Sequence, residues 1–215
     1  MDGVQGTATQ SGVDLAGAQP TRRDALTRWL RPVGATGVVF GAGAAGATVA
    51  FARGASGLTH RDREVLEFLA GLEQLESSFY AAALSAGKLT GEPLQFAQTV
   101  GREERAHLSD LVHLLGGHGP SAGHHRFDRM VKSNASFVAA ATTLEDTVVA
   151  AYNGQAENVT RRTLARIARI MSVESRHAAW ARGLAGKLPA PVAVDAAIDA
   201  DAAMKALHPL LGGAS

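Results

Sequence analysis

The sequence contains no cysteine. This excludes disulfides, thiolate metal ligands, a cysteine nucleophile and a cysteine-linked lipid anchor, and it leaves histidine and carboxylates for any metal site. An excess of charge of either sign is also lacking: 21 Lys and Arg stand against 20 Asp and Glu, a formal net charge of +1. Nothing therefore favours nucleic acid or an anionic lipid surface as a partner. Aromatic residues make up 5% of the 215 positions, and with alanine and glycine abundant this favours close helix packing over a β-sandwich built on large side chains. What is present is 46% apolar residues, enough for one compact domain plus a leader and too many for a wholly disordered chain.

Residues 1–20 are rich in Gly, Ser, Thr and Gln without an apolar period and read as a disordered lead-in. Arg22-Arg23 comes next, with Leu26 three positions on, further positive charge at Arg28 and Arg31, and a weakly apolar Gly/Ala-rich run from Pro32 to Ala52. Ala50-Phe51-Ala52 offers small residues at the spacing a signal peptidase cuts. The segment resembles a twin-arginine export signal, a route that carries folded proteins, often with metal already inserted. The alternative is an uncleaved membrane anchor: the run is about long enough to span a bilayer but holds five glycines between 34 and 46. The expected organisation is thus a lead-in and signal peptide over 1–52, a helical bundle over 53–187, and a Pro-containing tail with a short helix over 188–215.

From Thr59-x-x-Asp62, a helix-start pattern, apolar residues recur at steps of three and four through Leu66, Leu69, Leu72, Leu75 and Phe79, which predicts a helix over about 59–86. Gly87 and the Gly91-Glu92-Pro93 turn end it. A second helix is predicted over about 93–115, with Pro93 as its first residue. A third comes after the Gly-, Ser- and His-rich connection 116–134 and runs to about Tyr152, and a fourth runs from near Asn158 to Gly186. Pro189 and Pro191 prevent continuation, and a short helix over about 195–207 closes the chain. His118, His124 and His125 in the connection read as solvated loop residues.

Laying the first hairpin over the second exposes an internal repeat. Glu73 precedes Tyr80 by seven residues, as Glu145 precedes Tyr152; Glu104 precedes His107 by three, as Glu174 precedes His177. The copies are offset by 72 residues in the first element and 70 in the second. Steps of three and seven turn about 300° and 700° around a helix, so all these partners project from nearly one face, and on each helix it is the apolar one. Four carboxylates are therefore aimed at the core. Burying them unpartnered costs several kcal/mol each, and no Lys or Arg stands in matching positions on those faces. Two divalent ions would balance four ionised glutamates. Glu76, one turn after Glu73 on the same inner side, is the alternative ligand on helix one, although the repeat favours Glu73. Glu103 and Asp146 point about 100° away from the ligand face and are expected in solvent, with contact to a histidine as the alternative. Tyr80 and Tyr152 either pack in the core or use their hydroxyls to orient a ligand or supply an electron.

One Glu on each of two helices and Glu-x-x-His on each of the other two resembles the ferritin-like superfamily of di-iron and di-manganese carboxylate bundles, and in particular its exported bacterial members. The resemblance covers about 59–186 and fills all six ligand positions. It implies an all-α, ferritin-like antiparallel four-helix bundle with a long crossover between helices two and three. It further implies Glu73 and Glu145 as the ligands from the two helices that supply one each, Glu104 and Glu174 as bridges between the two ions, and His107 and His177 binding one ion each. The cofactor expected is a pair of iron ions, with manganese equally acceptable to these ligands. The partners expected are metal ions and O2 or peroxide, with no nucleic acid, a membrane only if the leader stays uncleaved, and self-association left open. The activity implied is of the ferroxidase or oxidoreductase type in the cell envelope, periplasm or medium; metal sequestration, or a stress- or desiccation-associated protein with a structural metal, is the alternative. Two facing hairpins related by a two-fold axis require helix three to start at the opposite end from where helix two finishes. The 19 residues from Gly116 to Asn134 can extend roughly 60 Å, ample for a bundle of about 35 Å.

Overall fold

The computed structural model describes residues 57–211 apart from 122 and 124; the leader over 1–52 lies outside the described residues. Five α-helices and no strands occur among those described: α1 His60–Ala86, α2 Gly91–Leu114, α3 Asn134–Gln155, α4 Arg161–Leu184 and α5 Ala200–Leu207, with short 3-10 turns at Ala156–Asn158 and His208–Leu211. α1 packs on α2 and α3 on α4 as two hairpins, which face each other through α1 against α3 and α2 against α4.

The caps explain where the helices begin and end. The Thr59 side chain accepts from the Asp62 N–H while the Asp62 carboxylate accepts from the Thr59 N–H, the reciprocal box that the Thr59-x-x-Asp62 pattern predicts. Gly87 then stops α1 in the left-handed region, at φ 62°. α2 begins two residues before the predicted Pro93. Proline is tolerated there because the first-turn N–H groups have no partner within the helix. α5 begins at Ala200 rather than near 195: the Ile198 N–H donates to the Ala150 carbonyl of α3 (3.0 Å), holding the chain off the helical path, and the Asp199 side chain caps α5 by accepting from the Ala202 N–H.

The repeat extends beyond the residues that suggested it. Asp62 at the start of α1 accepts from the Thr160 N–H at the start of α4 (2.8 Å), and Asn134 at the start of α3 accepts from the Thr90 N–H at the start of α2 (3.0 Å). These are the same tie at the same offsets of 72 and 70 residues. They place the starts of α1 and α4 at one end of the bundle and those of α2 and α3 at the other, so the connection after α2 runs its whole length, as the two-fold argument requires. The connection is anchored by buried Phe127 and Val131. Phe127 meets Phe79 edge-on, and Phe79 in turn stacks on Phe137. The few aromatics are thus concentrated where the crossover lands. The layer between the hairpins is aliphatic, with Leu66, Leu69, Leu72, Val100, Leu111, Leu144, Val148 and Ile167 all buried. Close approach within and onto the hairpins rests on two glycines: a Cβ on Gly101 would lie 2.7 Å from the Tyr80 Cβ, and one on Gly154 would overlap the Ile198 carbonyl oxygen.

Candidate metal centre

Mid-length in this apolar layer, α1 contributes Glu73 and Glu76, α2 Glu104 and His107, α3 Glu145, and α4 Glu174 and His177. The five glutamates have no exposed surface, and the histidines are 8% and 4% exposed. All six residues singled out by the repeat converge. Their ligand atoms form two overlapping groups, Glu73, Glu104, His107 and Glu174, and Glu104, Glu145, Glu174 and His177, each with its atoms within 4.8 Å of one another. Glu104 and Glu174 belong to both.

The contacts repeat the two-fold relation. His107 Nδ1 lies 2.8 Å from Glu174, on the facing hairpin, and 3.2 Å from Glu104 on its own helix. His177 Nδ1 lies 2.8 Å from Glu104 and 3.6 Å from Glu174. Each tyrosine crosses between hairpins: the Tyr80 hydroxyl donates to Glu145 and the Tyr152 hydroxyl to Glu73. The tyrosines thus fill the core and at the same time donate to ligand-position carboxylates. The partner could not be found from sequence, because the spacing of seven links each tyrosine to the glutamate of its own helix and the bond goes to the other.

Two side chains depart from expectation. Glu103, expected in solvent, accepts or shares a hydrogen bond with His177 Nε2 at 2.7 Å, because α2 and α4 approach closely enough for a half-exposed side chain to reach across. Asp146, the other neighbour, pairs with Arg182 at 2.8 Å instead of a histidine. Glu76 is a fifth buried carboxylate, beside Glu73 on the same helix. Among the described residues no lysine or arginine reaches any of the five.

Set against one another without a cation, these groups shift as their charges dictate. Burial pushes Glu73, Glu76 and Glu145 well above the usual carboxylate range, and the neighbouring glutamates push them further. Burial alone would lower both histidines, but the close carboxylates of Glu104 and Glu174 outweigh it and raise His107 to about 12 and His177 to about 11. The same close contacts with the two imidazoles overcome burial at Glu104 and bring it down to about 2. Positive charge is what the cluster demands, and the imidazoles take on protons to provide it.

The donor set fits a pair of hard or borderline divalent ions: carboxylate oxygens with one imidazole on each side and no sulfur. Buried polar atoms left without a hydrogen-bond partner support the fit. They include Glu73 Oε2, both oxygens of Glu76, Glu104 Oε1, Glu145 Oε2, both oxygens of Glu174 and His177 Nδ1. Buried polar atoms are ordinarily satisfied, and so many together are compatible with a metal site. His177 Nδ1 and Glu104 Oε1 are 2.8 Å apart yet not aligned as a hydrogen bond. Such a ligand pair converges without bonding to itself.

Comparison with known families matches residues 61–187 to the ferritin-like domain. No curated protein matches the chain significantly.

Proposed function

Because the chain belongs to the ferritin-like domain family, matched over more than half its length, we propose that it holds two metal ions, iron in the first instance, and reacts with O2 or peroxide. The observation that carries this reading is the pair of overlapping ligand groups sharing Glu104 and Glu174. Glu73 and His107 would complete one ion's set and Glu145 and His177 the other's. When bound, reduced iron supplies electrons to O2 or peroxide, and oxygen-rich ligands favour its higher oxidation state.

The chain's own residues set the conditions. Glu104 and Glu174, which lie near both histidines, would supply charge to both ions. Tyr80 and Tyr152 hold Glu145 and Glu73 in place by donating to them. The leucine and valine layer keeps bulk water out, which strengthens every charge interaction inside. Burial and the charges of the neighbouring glutamates raise the Glu76 carboxyl well above its usual range, which favours its protonated form beside the centre.

Elemental analysis of purified protein is expected to find about two ions per chain. Glu104→Ala or Glu174→Ala should lower the occupancy of both, and His107→Ala chiefly of one. Fe(II) added to the metal-free protein in air should be oxidised faster than by the Glu104→Ala, Glu174→Ala double variant. Equal rates for the two proteins would refute the redox reading and leave metal with a structural role.

A further inference from the structure

The repeat that builds the centre fails at Glu103, beside it. Seventy residues separate Glu104 from Glu174 and His107 from His177, and at the same offset Glu103 corresponds to Val173. Glu103 holds the outer nitrogen of His177, Nε2, at 2.7 Å. Val173, at the equivalent place on α4, offers His107 no such partner, and none of the described residues takes the outer nitrogen of His107. There the surface opens instead. A cavity of about 290 Å³ lies between α2 and α4, with His107, Ile170 and Val173 among its lining residues and Asp110, Arg166 and Arg169 among the charged ones. Of the six ligand-position residues His107 alone lines it. His107 retains twice the fractional exposure of His177, 8% against 4%.

We propose that the two halves of the centre are inequivalent: metal ions and small ligands enter and leave past His107 through the α2–α4 opening, while the His177 half is closed and locked by Glu103. The physical basis is the difference between the two imidazoles. A histidine whose outer nitrogen is held by a carboxylate has its ring orientation fixed and its basicity raised, which tightens metal binding, and such partners are worth roughly 10- to 100-fold in affinity. His107 lacks that restraint and borders a space large enough for several water molecules. Glu103 is therefore a positioning residue for the closed half, and Val173 is the residue that leaves the other half open.

The inference rests on the proposed two-ion centre, and one experiment separates the two claims. The metal-free full-length protein is titrated with Co(II), whose visible absorption reports its ligands, and bound metal is counted; excess EDTA is then added and release is followed. Saturation near two ions per chain, with release in two phases of equal amplitude differing roughly tenfold or more in rate, is expected. Val173→Glu, which restores the missing carboxylate, should slow the fast phase toward the slow one. Glu103→Val should speed the slow phase and Glu103→Gln should do so less, while the fast phase stays as it was. Saturation well below two ions would overturn the two-ion reading and this proposal with it. Two ions leaving at one rate, or two phases that neither Val173→Glu nor Glu103→Val moves, would overturn the inequivalence alone. Circular dichroism of each variant confirms that it is folded, and the half-exposed positions of Glu103 and Val173 make both substitutions sterically mild.

Discussion

Glu76 is the residue whose behaviour most depends on its surroundings. Both of its oxygens are buried and unpartnered, and burial, then the charges of Glu104, Glu174, Glu145 and Glu73, raise its pKa well above 4.5. A group whose folded pKa is raised contributes stability that is fully present below its unfolded pKa and is lost as pH rises through the folded value. Glu73, Glu76 and Glu145 therefore cost the metal-free protein stability from about pH 4.5 upward, and His107 and His177 add to the loss above 6.5, continuing to about 11 or 12. Each such group contributes up to about 1.4 kcal/mol per pH unit. Denaturant midpoints of the metal-free protein should fall steadily between pH 5 and pH 8. Glu76→Gln should flatten that slope by one group's share, and an unchanged slope would show that Glu76 is ionised when folded. On the proposed two-ion reading metal would reverse the trend, since its binding would displace these protons and tighten as pH rises. The six ligand-position residues were legible because the repeat printed them twice on apolar faces. Glu76 was legible only as a rival to Glu73: its repeat equivalent is Val148, so no second copy supported it. Glu103 was hidden for a different reason, since its contact joins two helices at a distance no single-helix periodicity reports.

Among the elements, the tail shows how a glycine on one helix can govern the placing of another. α5 buries Ala203 and Leu207, and the segment leading to it crosses α3 at Gly154, where Ile198 bonds to Ala150 and Ala196 accepts from the Asn153 side chain. Alanine is intrinsically better than glycine inside a helix by about 1 kcal/mol. At Gly154, however, its Cβ would overlap the backbone oxygen of Ile198 and lie 2.6 Å from its carbonyl carbon, and backbone cannot rotate aside as a side chain can. Gly154→Ala should thus destabilise the protein by about 2 kcal/mol and increase proteolytic cutting within 187–199. A variant as stable as the wild type would mean that the tail does not bear on α3. The four long helices were predicted within about three residues at each end, because capping and apolar period are local signals. The tail was misjudged at its start because Ile198 gives its N–H to a residue 48 positions earlier.

For the whole molecule, the buried site and the leader bear on each other. The ligand-position carboxylates come together, with no exposed surface, only in the folded bundle, and a protein folded before export needs a route that carries folded cargo. We propose the twin-arginine route on Arg22-Arg23, with the mature chain beginning near Arg53. Changing both arginines to lysine should trap the precursor in the cell, as cell fractionation and N-terminal sequencing would show; normal export of that variant would refute the route. The exchanged tyrosine bonds carry one more consequence. Tyr80 of the first hairpin serves Glu145 of the second, and Tyr152 of the second serves Glu73 of the first, just as the Asp62 and Asn134 ties cross over. Such reciprocity, in which patch i meets patch j and j meets i, is the defining geometry of an isologous interface between identical subunits. The chain is laid out as a homodimer joined into one polypeptide, and joining releases each half from having to remain identical to the other. Glu76 matched by Val148, and Glu103 matched by Val173, are differences that a true homodimer could not hold.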